Sequence, residues 1–161
     1  MAETIYYSRI DSPVGPLLLA ISGRGLVALE FGGRKIKEGW VESATKTAPY
    51  AGQMDEYFSG RRRRFDLPLD IRGTDFQKRC WQELLKIPYG ETRSYADIAR
   101  AIGNPAAVRA VGLANGQNPI AIIVPCHRVI GSDGSLTGYG GGLETKRKLL
   151  ELEGALSGSL V

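Results

Sequence analysis

Residues 94–115 read SYADIARAIGNPAAVRAVGLAN and decide how the second half of the chain folds. Ser94 is a good N-cap for a helix over residues 95–102, which Gly103 ends. Asn104 is expected to cap a second helix, with Pro105 at its first position. Two short helices joined through Gly-Asn-Pro predict a helix-turn-helix.

The second predicted helix, residues 106–115, is rich in small side chains and carries one basic residue, Arg109. A helix this slender could approach a nucleic acid closely. Small residues also allow two helices to pack tightly, and the residues alone favour that simpler explanation.

Helices are predicted on both sides of this unit. Thr74 should cap a helix that stops before Pro88, and a last helix should run from about residue 143 to 153. Between them, residues 120–124 form a continuous apolar run that is expected to be deeply buried and strand-like.

The first half of the chain follows a different pattern. Short apolar runs separated by Gly and Pro predict an antiparallel meander over residues 4–10, 17–21 and 26–31. A helix around residues 50–58 and an edge strand over residues 65–69 should follow. The change of pattern at Arg72-Gly73 predicts two domains, 1–72 and 73–161. We therefore expect an α/β fold with an antiparallel-sheet domain followed by a mainly helical domain.

Composition excludes several classes of protein. The 161 residues are 43% hydrophobic and 24% charged, which is typical of a globular protein rather than a disordered or collagen-like one. The longest strongly apolar run falls far short of the roughly 18 residues of a membrane span, so no membrane partner is expected. The first residues lack the features of a secretory signal, and we expect a cytoplasmic protein. A net charge of +4 permits a polyanionic partner without requiring one.

Two cysteines, Cys80 and Cys126, and one histidine, His127, cannot form a Cys₄ or Cys₂His₂ zinc site. We expect free thiols, no metal and no cofactor. Cys80 lies on the apolar face of its predicted helix and is expected in the core.

Cys126 and His127 form a candidate nucleophile and base. An isolated Cys-His pair is more often an inert buried thiol beside a structural histidine, but the preceding proline, Arg128 and the glycine-rich stretch beyond favour a special site. Adjacent residues of an extended chain point to opposite sides, so a water would have to bridge them. A carboxylate behind the imidazole is expected from Glu151 or Glu153.

The motif IVPCHRVI at residues 123–130 makes the chain recognisable, together with NP at 118–119 and GYGGGL at 138–143. With IPYG at 87–90, SY at 94–95 and AVRAVG at 107–112, it resembles the O6-alkylguanine-DNA alkyltransferase family of the bacterial type. The resemblance is close over residues 73–154, and the first half agrees mainly in pattern, from DSPVG at 11–15. It implies a ribonuclease-H-like fold for the N-terminal domain.

The resemblance assigns roles to five side chains. Cys126 accepts the alkyl group, His127 takes the thiol proton through a water, and Glu153 orients and charges that histidine. Asn118 ties the helix-turn-helix to the active-site loop. Tyr95 donates to a ring nitrogen of the leaving guanine and helps to rotate the target phosphate.

The implied partner is double-stranded DNA that contains alkylated bases, bound through its minor groove. Arg109 is the finger that enters the duplex where the damaged nucleotide leaves. The other implied DNA contacts are Tyr95, Ala106, Ala107, Ala110 and Asn115. The implied base pocket contains Val129, Tyr139, Gly140 and Lys146. A monomer is expected, and cooperativity on DNA is left open.

The implied function is repair of O6-alkylguanine, and less well of O4-alkylthymine, by one irreversible transfer to Cys126. The thioether product offers no carbonyl for water to attack, so each chain should act once. Two alternatives remain: a Cys-His-Glu hydrolase, and a lesion-recognition protein of the alkyltransferase-like kind, although those relatives lack the cysteine. Arg128 is expected to be a structural bridge, and Arg61–Arg64 a solvated loop.

Overall fold

The computed structural model describes residues 3–32 and 36–156. The chain divides into two compact units, Met1–Arg72 and Gly73–Val161. None of the helices in the described part combines the length and the hydrophobicity needed to cross a bilayer.

The first unit is built on a four-stranded sheet of Tyr6–Ile10 (β1), Leu17–Ser22 (β2), Gly25–Phe31 (β3) and Val41–Glu42 (β4), in the order β3-β2-β1-β4. Strands β1 and β2 pair antiparallel, as do β2 and β3, while β4 pairs parallel with β1. Gly15 and Gly25 adopt positive φ angles of 95° and 146° at the ends of the turns, where other residues would be strained. Strands β1, β2 and β3 confirm the predicted meander, and the parallel strand β4 was not predicted.

Helix α1 spans Ala44–Phe58 and starts earlier than the predicted residue 50. The Ser43 hydroxyl accepts a hydrogen bond from the Lys46 amide at 3.1 Å and caps the helix. Pro49 lies inside α1, where a proline normally signals a helix boundary, and this misplaced the predicted start.

The edge strand predicted over residues 65–69 is wrong. Only Leu69 forms a bridge, and it pairs with Leu26 of β3. The Pro68 carbonyl accepts from the Leu26 amide at 2.9 Å and the Asp70 amide donates to the Leu26 carbonyl at 2.8 Å, so the segment pairs with β3 at this one position.

The second unit is mainly helical. The Thr74 and Ser94 side chains form reciprocal capping boxes with Gln77 and Asp97, which fix the starts of its first two helices. The buried Trp81 indole donates to the Ala114 carbonyl at 2.8 Å and so joins the first helix to the third. The elements are α2 (Asp75–Leu84), β5 (Arg93–Ser94), α3 (Tyr95–Ala101), α4 (Val108–Gly116), β6 (Val129–Ile130) and α5 (Leu143–Leu152).

Helices α3 and α4 form the predicted helix-turn-helix, but α4 starts later than predicted. Residues 104–107 form a turn in which the Ala107 amide donates to the Asn104 carbonyl at 3.0 Å. No side chain caps α4 at Ala107, so the prediction that Asn104 caps this helix is wrong. The mixed α/β fold class itself is confirmed.

Candidate active site and nucleic-acid interface

The segment that leads into Cys126 is buried, as predicted, but it is not a strand. The Ile123 amide donates to the Ala121 carbonyl at 2.8 Å around Ile122, whose φ is +72°. This hydrogen bond between residues two apart closes a γ-turn. A γ-turn with a positive φ at its central residue is rare and strained, above all when that residue is β-branched. Ile122 is fully buried, and its surroundings hold it in this conformation.

A second tight turn places the cysteine itself. Pro125 has φ −83° and ψ 64°, and the Cys126 amide donates to the Val124 carbonyl at 2.8 Å across it. This is the relaxed, inverse form of the γ-turn, which suits the fixed φ of proline. The proline of the motif therefore has a geometric role in aiming Cys126.

Two asparagines hold this loop against the end of α4. Asn118 accepts from the Ile120 amide at 2.9 Å and donates to the Val124 carbonyl at 2.8 Å. Asn115 donates to the Cys126 carbonyl at 3.3 Å. The Asn115 side chain is buried at 5% exposure, so it does not lie on the surface with the other predicted DNA contacts. Its position assigns it to the support of the loop instead.

The thiol of Cys126 is buried, with 5% of the residue exposed. Burial raises the pKa of Cys126, because the thiolate loses its hydration. Hydrogen bonding by the Asn118 amide and the positive charge of Lys146 oppose this rise in pKa. The resting residue is a thiol at neutral pH, and its deprotonation needs a base.

His127, the candidate base, is fully buried. Its Nε2 lies 2.8 Å from Oε2 of Glu153, which is buried as well. An ionised carboxylate can only accept, so Nε2 carries the hydrogen and Nδ1 keeps its lone pair. Nδ1 has no hydrogen-bond partner among the described residues. It is the atom available to receive a proton.

The backbone around His127 differs from the extended chain that the sequence suggested. Residues Cys126–Arg128 form a turn of 3₁₀ helix, so the argument that neighbouring side chains point to opposite sides does not apply. Burial lowers the pKa of His127, although its hydrogen bond to Glu153 acts in the other direction. The imidazole is neutral at rest and ready to accept.

Arg128 clamps the same carboxylate from the other side. Its Nε donates to Glu153 Oε1 at 2.7 Å, its Nη2 to Oε2 at 3.0 Å, and its Nη1 to the Ile87 carbonyl at 2.7 Å. Burial alone would raise the pKa of Glu153, but the hydrogen bonds of His127 and Arg128 outweigh it and lower that pKa to about 2. Glu153 is therefore the carboxylate behind the imidazole, and Glu151 is exposed.

The IPYG motif at residues 87–90 surrounds the end of α5. The Tyr89 hydroxyl donates to the Leu152 carbonyl at 3.2 Å, and the Tyr89 ring centroid lies 5.8 Å from the Arg128 guanidinium carbon. A Cβ at Gly90 would lie 3.1 Å from the Glu153 carbonyl oxygen. The motif thus supports the carboxylate that the histidine uses.

Tyr95 and Lys146 belong to a network of hydrogen bonds in the predicted base pocket. The Tyr95 hydroxyl accepts a hydrogen bond from Thr137 Oγ1 at 2.9 Å. The Lys146 ammonium donates to the Val129 carbonyl at 2.6 Å and to the Thr137 carbonyl at 3.1 Å. Burial lowers the pKa of Lys146 to about 8, and it lies 6.0 Å from the centroid of the Tyr95 ring. These four residues are joined into one network.

Tyr139 and Gly140 lie in the glycine-rich stretch that precedes α5. Burial raises the pKa of the Tyr139 hydroxyl well above its ordinary value, and the neighbouring Cys126 raises it further. Tyr139 is therefore beside the thiol. A Cβ at Gly140 would meet nothing within 4 Å, so its backbone faces open space.

The face of α4 and its preceding turn is exposed where the sequence predicts contact with DNA. Ala106, Arg109 and Ala110 are exposed and Ala107 is half-buried. Leu113 is 65% exposed on the same helix. A Cβ at Gly112 would lie 3.9 Å from the Tyr95 ring, which shows how closely α4 packs on the start of α3.

Both cysteines are free thiols and buried, Cys80 in the hydrophobic core. No group of three or more His, Cys, Asp or Glu side chains that could hold a metal ion occurs within residues 3–32 and 36–156.

Two family models match the chain, one to each unit. The model for the 6-O-methylguanine DNA methyltransferase DNA binding domain matches residues 75–155, and the model for the ribonuclease-like domain of the same proteins matches residues 5–71. The chain belongs to the 6-O-methylguanine DNA methyltransferase family. The resemblance drawn from the sequence motifs is thereby confirmed.

Individual relatives of this methyltransferase family are similar over nearly the whole chain. The methylated-DNA–protein-cysteine methyltransferase of Mycobacterium tuberculosis is 57% identical over 156 residues, which cover 92% of each chain. That of Methanosarcina barkeri is 56% identical over 153 residues, with 92% of this chain and 97% of the relative covered.

A solved structure of the family extends the similarity to three dimensions. The crystal structure of M. tuberculosis OGT in complex with DNA superposes with a TM-score of 0.89 at 56% identity, and 93% of each chain is covered. The ribonuclease-like fold predicted for the N-terminal domain is confirmed by this agreement and by the family model.

Sequence reasoning missed three features of the site. Thr137 was assigned no role, since a threonine in a glycine-rich stretch carries no signal of its own. Tyr89 was part of a motif without an assigned function. For Ile122 the sequence predicts only burial, because an isoleucine gives no indication that its backbone adopts a positive φ.

Proposed function

We propose that this protein repairs DNA by direct reversal of damage, as a methylated-DNA–protein-cysteine methyltransferase that moves the alkyl group of O6-alkylguanine to Cys126. The observation that carries the proposal is the buried pair of His127 and Glu153 directly after the buried Cys126: Glu153 accepts from Nε2 and thereby leaves the His127 Nδ1 lone pair free. The activity named for relatives that are 56–57% identical supports it.

The chemistry is a displacement at the alkyl carbon. The thiol proton passes through a water to His127 Nδ1, and the thiolate of Cys126 forms a sulfur–carbon bond as the bond between carbon and O6 breaks. The guanine leaves with the electron pair of the broken bond. The Tyr95 hydroxyl and the Gly140 N–H then stabilise its negative charge by hydrogen bonds.

The charge on the histidine is balanced within the protein. His127 becomes a cation when it takes the proton, and Glu153, already ionised, lies 2.8 Å from its Nε2. Arg128 keeps Glu153 ionised and immobile through both carboxylate oxygens. The preorganised anion stabilises the charged state that forms during transfer.

Access to the buried thiol requires that the damaged nucleotide leave the base stack, at a cost of a few kcal/mol. The exposed face of α4 would lie in the minor groove, with Arg109 in the space that the flipped nucleotide vacates. Ala106, Ala107 and Ala110 would allow close approach of the backbone. Val129, Tyr139 and Lys146 would line the base pocket.

The product on Cys126 is a thioether, which water does not cleave under these conditions, so each chain would act once. O4-alkylthymine would be a poorer substrate. We further propose that the protein acts in the cytoplasm as a monomer, and the two free thiols are consistent with a reducing compartment.

Intact and peptide mass spectrometry would test this function after incubation with an oligonucleotide that contains one O6-methylguanine. We expect a single added methyl group on Cys126 and restored guanine in the DNA. Cys126→Ser should gain no methyl, while the matched control Cys80→Ser should be methylated normally. Tight binding without an adduct would instead support a lesion-recognition protein, and turnover of an acyl substrate would support a hydrolase.

A further inference from the structure

Thr137 is the side chain that contacts the Tyr95 hydroxyl, and no role follows for it from the family motifs. The two oxygens are 2.9 Å apart. Thr137 itself is exposed and lies in the loop before α5. Its backbone is held in place, because Lys146 donates to its carbonyl at 3.1 Å.

The direction of this hydrogen bond decides what Tyr95 can do. A phenol has one proton to donate, and that proton serves the substrate only when it does not point at the protein. When the Thr137 hydroxyl donates to the phenol oxygen, the Tyr95 proton is left for the guanine. A phenol that accepts a hydrogen bond is also polarised toward donation.

Lys146 holds both partners of this hydrogen bond. Its ammonium lies over the Tyr95 ring, 6.0 Å from the centroid, in a cation–π contact that restrains the ring. The same ammonium fixes the Thr137 backbone and the Val129 carbonyl. Threonine, unlike the glycines around it, supplies a hydroxyl on a side chain with restricted rotation.

We propose that Thr137 is a positioning residue, which orients the Tyr95 hydroxyl as a hydrogen-bond donor to the guanine that leaves during alkyl transfer. This inference rests on the proposed function. Thr137 acts through Tyr95 and does not itself touch the reacting atoms.

The test is a double-mutant cycle on single-turnover methyl transfer from an O6-methylguanine duplex. Thr137→Val keeps the shape of the side chain and removes the hydroxyl, and it should slow transfer by about three- to tenfold, the range of one hydrogen bond. In the Tyr95→Phe background the same change should have no further effect. Thr137→Ser should recover the lost rate, because it restores the donor.

A second substrate separates this role from a steric one. O6-methyl-3-deazaguanine lacks N3, the ring nitrogen that we expect to accept from Tyr95, so Thr137→Val should not slow its transfer further. Equal slowing with both substrates, or in both the Tyr95 and the Phe backgrounds, would overturn the inference. So would an unchanged rate for Thr137→Val.

The outcome is distinguishable from failure of the proposed function. If the unmodified protein methylates Cys126 and the cycle shows no coupling, the role of Thr137 is wrong and the function stands. If the unmodified protein transfers no methyl group from either substrate, the function itself is wrong. Thermal unfolding of each variant confirms that the compared chains are folded.

Discussion

Glu153→Gln removes the charge behind His127 while it keeps the size and shape of the side chain. The glutamine oxygen can still accept from Nε2, so the histidine tautomer is preserved. What disappears is the anion that lies 2.8 Å from the imidazole and that also binds Arg128 through both oxygens.

The expected effects on stability and on rate have different origins. Arg128 is 7% exposed and Glu153 4%, so the substitution leaves a buried guanidinium without its counter-ion. Breaking one side of a buried pair costs about 3–5 kcal/mol of unfolding free energy. The transfer rate should fall by roughly 10²- to 10⁴-fold, the contribution of a positioned general base, because the histidine cation loses its partner.

Arg128→Met in the Glu153→Gln background separates the two effects. The double variant no longer buries an unpaired charge, so it should regain most of the lost stability, as measured by urea unfolding. Its single-turnover rate should remain as low as that of Glu153→Gln alone. DNA binding, measured by fluorescence anisotropy with a methylated duplex, should be unchanged in both.

A folded Glu153→Gln protein whose transfer rate equals that of the unmodified chain from pH 6 to 9 would rule out a role for the Glu153 charge in transfer. A rate that recovers together with stability in the double variant would also contradict that role. That result would mean that Glu153 maintains the fold and plays no part in proton transfer.

Three further predictions concern Arg109, Asn118 and the pH dependence of stability. Arg109→Ala should slow repair in duplex DNA by at least tenfold while repair of free O6-methylguanine changes little, and equal losses on both substrates would reject the finger role. Asn118→Ala should cost about 1–3 kcal/mol of unfolding free energy in urea, because it leaves the Ile120 amide unpaired and removes one of the two hydrogen bonds to the Val124 carbonyl. An unchanged midpoint would contradict this. Acid should destabilise the fold, because the pKa of His127 is lower in the folded state than its ordinary value of 6.5. Below pH 6.5 the unfolded chain therefore binds a proton on His127 more readily than the folded protein does. The free energy of unfolding should fall by up to about 1.4 kcal/mol per pH unit as the pH drops below 6.5. The pKa of Glu153 is about 2 in the folded protein and 4.5 ordinarily, so a further loss of stability should occur between these values. A His127→Gln variant should lack the first loss, and its second loss should be smaller, because His127 also lowers the pKa of Glu153.

The elements that local chemistry determines could be predicted from the sequence. Thr74 and Ser94 mark the starts of α2 and α3 because each side chain caps its own helix. The meander follows from apolar runs interrupted by Gly15 and Gly25. The Pro-Cys-His-Arg motif and the residues around it indicated the family, which is confirmed, and the roles of Cys126 and His127 as nucleophile and base stay predictions.

The features that were missed depend on tertiary contacts. Asn104 is a strong capping residue, yet the chain makes an extra turn before α4, and Asn115 faces the Cys126 loop instead of the surface. The strained φ of Ile122 and the hydrogen bond of Thr137 to Tyr95 exist only because distant segments meet. Neither has a signature in residue type or spacing.

The stoichiometry of transfer with DNA in excess tests most directly whether Cys126 is the irreversible acceptor of the alkyl group. Oligonucleotide that carries a radiolabelled O6-methyl group is mixed at a tenfold molar excess with the protein, and protein-bound label is followed to completion. We predict a plateau at one methyl group per chain, with no further guanine restored after the plateau. Restoration that continues beyond one guanine per chain, or label that is absent from Cys126, would contradict the claim that this cysteine is the irreversible acceptor.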